Sequence, residues 1–329
     1  MSCKKKLISL LSLMIIATFM LSACDPDKMQ LYINAKAGDK YHYNVTMKQI
    51  SKTSVSEYET SISQKVAFDF SIRVDDVKSN GDLDLTYTYD RIRLKMDLDD
   101  LEYYFDSDSN NYDDIGELYE NIVGKQFNIR MTKSGKIKEV KGLDEFLGSL
   151  TGPLKANGNE DIFGLDFLNQ LENTLLEGFG ENTIKNDIGQ LTNYLPDKKV
   201  NVGDTWTVKE KIDQLNMKIE TETTYSFDRL ENGIAYISVT GTYKTKDPLS
   251  ASNNGLKMNT YMEGNIEGNI QANTENGFIV NGEMRQNIKG HMKFEGIDID
   301  LSALGLDMGN LEFPIESTSV ITFSSEKVN

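Results

Sequence analysis

The sequence predicts an α+β fold: a large, curved antiparallel β-sheet with a central helical segment packed on its concave side. Before residue 140 and after residue 200, apolar residues recur at every second position, as in half-buried strands. Between these regions they recur every three or four residues, as in helices that cover a sheet. We expect an N-terminal β half over residues 37–142, a helical segment over 143–196 and a C-terminal β half over 197–329. The two β halves form either two related sheets or one continuous sheet.

The first 24 residues have the features of a lipoprotein export signal. Three lysines at positions 4–6 precede an apolar run over residues 7–20, which is too short to span a bilayer as a stable helix. The run ends in Leu21-Ser22-Ala23-Cys24, which resembles the bacterial lipobox, where diacylglycerol is attached to the cysteine thiol and the chain is cleaved just before it. We therefore predict a signal peptide over residues 1–23 and lipidation of Cys24.

Cleavage at this point has consequences for the mature chain. Residues 24–36 become an acylated N-terminus and a short tether. Cys3 leaves with the signal peptide, so no cysteine pair remains for an internal disulfide. The acyl chains on Cys24 make the lipid bilayer a partner and hold the protein at a bacterial cell membrane or outer membrane.

The N-terminal half contains five predicted strands. Phe68, Phe70, Ile72 and Val74 alternate with polar residues and predict one buried face. A two-residue turn at Asn80-Gly81 would pair Val74 with Tyr87 and Ile72 with Tyr89. The predicted strands cover residues 40–49, 64–74, 83–95, 126–132 and 136–140.

The helical segment is predicted as three helices, over residues 143–150, 160–179 and 182–195, and Pro196 ends it. The C-terminal half then restarts with Gly203-Asp204-Thr205-Trp206, which repeats the pattern of Gly38-Asp39-Lys40-Tyr41. The repeat indicates that the two β halves begin alike.

A long hairpin is predicted over residues 258–294, where even-numbered residues are apolar or small. A three-residue loop at Glu275-Asn276-Gly277, with Gly277 in the left-handed conformation, keeps the even residues of both strands on one face. This register places a large residue opposite a glycine four times: Ile270 with Gly282, Gly268 with Met284, Gly264 with Ile288 and Met262 with Gly290.

Two interpretations of these glycines remain open. They let the sheet bend around the central helices, or they leave space for an apolar ligand. In the second case the cavity is lined by Met262, Ile266, Ile270, Met284 and Ile288.

Composition excludes several classes of function. A formal net charge of −16 argues against nucleic acid as a partner, because phosphate binding depends on lysine and arginine. With two histidines and two cysteines, the chain lacks the residues of most zinc sites and nucleophilic triads. We find no zinc-protease, phosphate-loop or nucleophile-elbow motif, and we predict no catalytic residues and no enzymatic activity.

Residues 106–117 have the spacing of a calcium-binding loop. Its oxygen ligands fall at the EF-hand positions, with Tyr112 contributing a carbonyl. Asn111 stands where the loop needs glycine, and Asp113 where an apolar residue normally anchors it. Apart from this calcium ion, no cofactor is expected. The side-chain ligands of this candidate would be Asp106, Asp108, Asn110, Asp114 and Glu117.

Several motifs together resemble an uncharacterised bacterial lipoprotein family known only as a domain of unknown function. They are the lipobox, Gly38-x-x-Tyr41-x-Tyr43, Phe105-Asp106-Ser107, Gly124-Lys125-Gln126-Phe127, the stretch from Thr132 to Gly142, Leu195-Pro196 and Val202-Gly203-Asp204-Thr205-Trp206. The family has no assigned catalytic residues. In outline, a curved sheet with helices in its mouth is similar to LolA-type lipoprotein and lipid carriers.

These observations predict a membrane-anchored, exported, non-enzymatic lipoprotein that binds or carries an apolar or lipid ligand. The alternative is a protein-interaction or calcium-stabilised scaffold module of the cell envelope, with an envelope protein as partner.

Overall fold

The computed structural model describes residues 28–55, 58–98, 101–109, 116, 119–156, 179–214, 217–247, 249–253, 256–295 and 312–328. In these residues thirteen strands form one antiparallel sheet, and two helices, α1 (Leu143–Ala156) and α2 (Glu181–Thr192), accompany it. The strands of the N-terminal half are β1 (Lys40–Val55), β2 (Tyr58–Val77), β3 (Leu83–Leu98), β4 (Leu101–Asp106), β5 (Gln126–Met131) and β6 (Ile137–Lys141). Those of the C-terminal half are β7 (Thr205–Gln214), β8 (Met217–Glu231), β9 (Ile234–Asp247), β10 (Leu249–Asn253), β11 (Leu256–Asn273), β12 (Ile279–Glu295) and β13 (Glu312–Val328).

The strand order is β6-β5-β3-β2-β1-β13-β12-β11-β9-β8-β7, with β4 beside β3 and β10 beside β11. The pairing of β1 with β13 joins the two halves. Of the two predicted arrangements, the structure therefore has the single continuous sheet, and the predicted α+β class is confirmed.

The sheet is strongly curved around helix α2. Strands β6 and β7 lie at opposite ends of the strand order, yet α2 packs against both. In a flat sheet of eleven strands these edges would lie about 50 Å apart, whereas a twelve-residue helix is only about 18 Å long. We call the face that carries the helices the inner face.

The hydrophobic core fills the inner face near one end of the sheet, where the loops 78–82, 132–136, 232–233 and 274–278 lie. We call this the turn end. Phe146 of α1 packs 5.6 Å from Phe127 and 6.0 Å from Tyr89, measured between ring centroids. The largest fully buried side chains include Tyr41, Tyr194, Phe105, Phe127, Phe227 and Phe323.

Residues 29–36, predicted as part of the tether, instead pack on the core at the turn end, where Leu31 and Ile33 are 1% and 3% exposed. Met29 forms a β-bridge with Val200, and the Ile33 amide donates to the Lys133 carbonyl at 2.7 Å. Trp206 Nε1 donates to the carbonyl of Tyr194 at 2.8 Å, and the Tyr194 hydroxyl donates to the carbonyl of Gly277 at 2.7 Å. These bonds satisfy buried polar groups where the chain crosses the core.

The turns that precede β1 and β7 are built alike, as their sequences predict. Gly38 and Gly203 both have positive φ, +91° and +93°. The Gly38 amide donates to Val74 at 2.8 Å, and the Gly203 amide donates to Phe227 at 2.7 Å. In both turns the carboxylate of the next aspartate accepts from the backbone N–H three residues before it.

The predicted register of the long hairpin is confirmed over most of its length, but the predicted three-residue loop is wrong. The strands end at Asn273 and begin again at Ile279, and a register shift between Gln271 and Ala272 compensates for the longer loop. All four large-opposite-glycine pairs occur between β11 and β12, and Gly277 has a φ of +72°. A methyl group on Gly268 would lie 2.2 Å from the Glu283 carbonyl oxygen, and one on Gly282 would meet the Phe323 ring. The contacts at these two glycines therefore favour the interpretation that glycine allows close packing of a curved hairpin.

The predicted register between β2 and β3 is wrong by two residues. Ile72 pairs with Tyr87 and Val74 with Leu85. A five-residue loop over 78–82 replaces the two-residue turn and moves the register by one residue, and a shift between Val74 and Asp76 moves it by one more. Of the Asn80-Gly81 pair, only Gly81 has positive φ, so the predicted turn type does not form.

The helical segment is confirmed in part. α1 runs six residues beyond the predicted end and α2 lies within the predicted range except for its first residue. The helix predicted over 160–179 lies outside the described residues except for Phe179, as do the signal peptide and residues 24–27. In the described part of the chain no helix is long and apolar enough to cross a membrane.

Candidate ligand-binding face

The inner face continues beyond the packed core. We call this continuation the distal half; it consists of the inward-facing positions within residues 47–53, 60–66, 260–266, 286–292 and 313–321. Cross-strand pairing places these positions in rows, so that Met47, for example, lies beside Val66 on one side and Ile321 on the other. Most of these side chains are only half-buried, unlike the fully buried core at the turn end.

The five predicted cavity residues all lie on the inner face but divide between its two parts. Ile270 and Met284 are 1% and 7% exposed and belong to the core cluster. Met262, Ile266 and Ile288 are half-buried and lie in the distal half. That these residues line a ligand cavity stays a prediction.

A row of polar side chains crosses the distal half. Gln64, Gln49, Ser319 and Gln286 lie in register on four adjacent strands, and Ser51 and Ser317 form a pair next to them. We call these six residues the polar belt.

The members of the polar belt bond to one another. Gln64 Nε2 donates to Gln49 Oε1 at 2.6 Å. Gln49 Nε2 donates to the hydroxyls of Ser317 at 2.9 Å and Ser51 at 3.1 Å, and these two hydroxyls lie 3.0 Å apart. Ser319 donates to Gln286 Oε1 at 3.4 Å. The belt therefore forms a neutral hydrogen-bonded network between apolar rows.

Charge is confined to the other face of the same strands. The inward positions that define the distal half contain no lysine, arginine, aspartate or glutamate, although 26% of the chain is charged. The opposite positions form ion pairs, such as Lys52 with Glu59 at 3.1 Å and Lys289 with Glu316 at 2.9 Å. The distal half is thus partly exposed but uncharged.

One carboxyl group on helix α2 has an unusual acidity. The Asp187 side chain lies near Tyr87 and Tyr89, and many protein atoms surround its carboxyl group, although the residue itself is exposed to solvent. This desolvation raises the pKa of Asp187 to about 7.

The predicted calcium ligands are divided between described and undescribed residues. Asp106 and Asp108 both bond to Arg91, whose guanidinium holds the pKa of Asp106 at about 2. In the described part of the chain no group of side chains has the arrangement of a metal site. Asn110, Asp114 and Glu117 lie outside the described residues, so the calcium site stays a prediction. The same holds for lipidation of Cys24.

A polar cleft of about 380 Å³ lies where α2 meets the two edge strands. Its lysines are paired with acids: Lys136 with Asp197 at 3.6 Å and Lys185 with Glu181 at 2.6 Å. Sequence reasoning did not find this cleft, because its walls come from β6, α2 and β7.

Sequence reasoning also missed the polar belt. Its members are far apart in the chain, and only the pairing of β1 with β13 brings Gln49 to Ser319. A signal was present in the alternation at Gln64, because the inward positions before and after it on the strand are the apolar Ile62 and Val66.

The sequence matches a protein family whose function is not established. The model described as "Family of unknown function (DUF6263)" matches residues 80–279, more than half of the chain. No curated protein matches.

Several solved structures resemble the chain, with low TM-scores and low sequence identities. A lipovitellin structure, titled for its lipid–protein interactions, has a TM-score of 0.44 and 13% identity over 89% of this chain and 25% of its own. The chain thus spans about a quarter of lipovitellin. An outer membrane channel from Pseudomonas putida F1 has a TM-score of 0.24 and 7% identity over 90% and 98% of the two chains. OccK7 from Pseudomonas aeruginosa has a TM-score of 0.19 and 6% identity over 89% and 100%.

Proposed function

The chain belongs to the family of unknown function DUF6263, and we propose that it is an exported, non-enzymatic lipoprotein, anchored in the cell envelope through Cys24, that binds an apolar ligand on the distal half of its inner face. One observation carries the ligand proposal. The distal half is partly exposed on a protein of net charge −16, yet its inward positions are uncharged.

Ordinary surface positions do not explain this composition. A strand face in contact with water normally carries charged and polar residues, as the opposite face of this sheet does. Met262, Ile266 and Ile288 instead leave apolar surface accessible beside the core. Burying such surface against an apolar ligand stabilises the complex by about 25 cal/mol for each Å² removed from water.

The curvature of the sheet supports the same proposal. Because α2 contacts both edge strands, the inner face is a trough, and apolar groups on a concave surface can surround a ligand on several sides. The helices fill the trough at the turn end, where Phe146 packs on Phe127. The distal half is the part of the trough that the core does not fill.

Lipidation at Cys24 and export are proposed from the signal sequence alone. Two or three acyl chains hold a protein stably at a membrane. The envelope location would place the inner face near a source of apolar ligands.

A titration with the apolar dye N-phenyl-1-naphthylamine, which fluoresces on leaving water, tests ligand binding. We expect saturable binding to the wild-type chain and about tenfold weaker binding to Ile288→Asp, because the charge lies on the inner face. Asn287→Asp is the matched control, since Asn287 is the neighbouring residue on the opposite face and is exposed. Absence of saturable binding to the wild-type chain, or equal effects of both variants, would contradict the proposal.

A further inference from the structure

We propose that the ligand is an uncharged amphiphile whose hydroxyl or ester group bonds to the polar belt while its hydrocarbon chain lies on the apolar rows. This inference rests on the proposed function and assigns the class of ligand for the same face. It follows from three properties of the belt: its position, its remaining hydrogen-bond capacity and its lack of charge.

On the side of the core the belt borders an apolar row that includes Met47 and Ile321. On its other side Ile288 and Ile315 provide apolar surface on β12 and β13, whereas Thr53 and Thr60 continue the row on β1 and β2. A purely hydrocarbon ligand would lie across the belt and remove its amides from water without bonding to them. Such desolvation costs about 1–3 kcal/mol for each unpaired group.

The belt has hydrogen-bond capacity that its internal network does not use. Gln64 bonds through Nε2, and within the described residues its Oε1 accepts no bond. Gln286 accepts from Ser319 through Oε1, and within the same described part of the chain its Nε2 donates none. The belt therefore offers both an acceptor and a donor, which suits a hydroxyl or an ester.

The absence of charge selects against ionised ligands. A carboxylate or phosphate at the belt would lose its hydration and meet only neutral amides and hydroxyls, because no lysine or arginine lies at the inward positions of the distal half. The net charge of −16 adds a general repulsion of anions. A neutral lipid such as a monoacylglycerol meets neither obstacle.

Competition between ligands with the same hydrocarbon chain tests this assignment. Monoolein and oleate both carry an oleoyl chain, and they would compete with the bound dye on the full chain at pH 8. We expect monoolein to displace the dye at a concentration at least about tenfold lower than oleate. Equal or stronger displacement by oleate, or by dioleoyl phosphatidate, would overturn the assignment while leaving apolar binding intact. If neither oleoyl compound displaces the bound dye, the assignment is wrong, whereas the proposed function fails only if the wild-type chain shows no saturable dye binding.

A pair of double variants tests the polar belt itself. Gln49→Leu with Gln64→Leu keeps the volume of a cross-strand pair but removes its amides. We expect about tenfold weaker monoolein binding but tighter dye binding, because the apolar dye no longer removes unpaired amides from water. Lys48→Leu with Lys65→Leu alters the adjacent cross-strand pair on the opposite face. This variant should change neither monoolein binding nor dye binding. Equal loss of dye and monoolein in the belt variant would show that the belt only supports the sheet. The ligand comparison on the wild-type chain needs no variant, so the assignment is tested even if the belt variant does not fold.

Discussion

Arg91 holds Asp106 through two hydrogen bonds, from Nε to Oδ1 at 2.9 Å and from Nη2 to Oδ2 at 2.7 Å. The pair joins β3 to the end of β4, and the Asp106 side chain is only 12% exposed. The bonds from Arg91 lower the pKa of Asp106 to about 2.

We expect Arg91→Gln to lower the free energy of unfolding by about 1–2 kcal/mol at pH 7. Because the folded pKa of Asp106 lies below its unfolded value, the stabilisation is present above about pH 4 and is lost as the pH falls towards 2. Urea unfolding of the wild-type chain and the variant at pH 7 and pH 3 measures this stabilisation. Arg285→Gln, at an exposed ion pair of 3.9 Å, is the control. A difference that stays constant over this pH range would contradict the account.

Asp187 has the opposite pH dependence. Its folded pKa of about 7 lies above the ordinary value of 3.8, so the folded state binds its proton more tightly and the wild-type chain loses stability as the pH rises from about 4 to 7. Asp187→Asn should therefore match the wild-type chain at pH 4 and be more stable at pH 8. Urea midpoints at both values check this. The exposed Asp197→Asn should show no such pH-dependent gain, and an equal gain in both variants would contradict the assigned desolvation.

The close approach of β11 and β12 predicts contrasting effects of glycine substitution. Gly268→Ala would place a methyl group 2.2 Å from the Glu283 carbonyl oxygen and should destabilise the fold by about 1–3 kcal/mol. Gly148→Ala meets no atom within 4 Å on helix α1 and should stabilise by about 0.5–1 kcal/mol. Thermal unfolding compares the two. If Gly268→Ala left the stability unchanged, β11 and β12 could not approach as closely as the structure shows.

The predicted anchor is tested by metabolic labelling with a fatty-acid analogue. We expect label on the wild-type chain and none on Cys24→Ser. Label that persists in Cys24→Ser would place the lipid elsewhere, and an unlabelled wild-type chain would contradict lipidation. Cys3→Ser is the matched control, since Cys3 lies in the segment that cleavage removes.

The parts of the fold that follow local rules could be predicted from the sequence. The β11–β12 register follows from the alternation between Met258 and Phe294, which fixes the face of each residue, and a register shift between Gln271 and Ala272 compensates for a loop longer than predicted. The same reasoning was wrong at β2–β3, because Asn80-Gly81 is equally compatible with a longer loop and the true length shifts every pair.

Non-local features left no comparable signal. No sequence pattern links β1 to β13, so the continuous sheet could not be distinguished from two sheets, and the belt pairing of Gln49 with Ser319 depends on that contact. The predicted cavity residues share a face, as the alternation requires, but alternation does not show where the helices stop filling it. Ile270 therefore lies in the core while Ile266, four residues earlier, is only half-buried.

The central claim is that the distal half of the inner face holds an apolar ligand in the cell envelope. Solvent extraction of the protein purified from that envelope tests it most directly, because extraction releases non-covalent lipid and leaves the diacylglyceryl group, whose glycerol is thioether-linked to Cys24, on the protein. We predict about one equivalent of released neutral lipid from the wild-type chain and from Asn287→Asp, and a large loss from Ile288→Asp. A wild-type protein that is repeatedly free of extractable lipid would contradict the account.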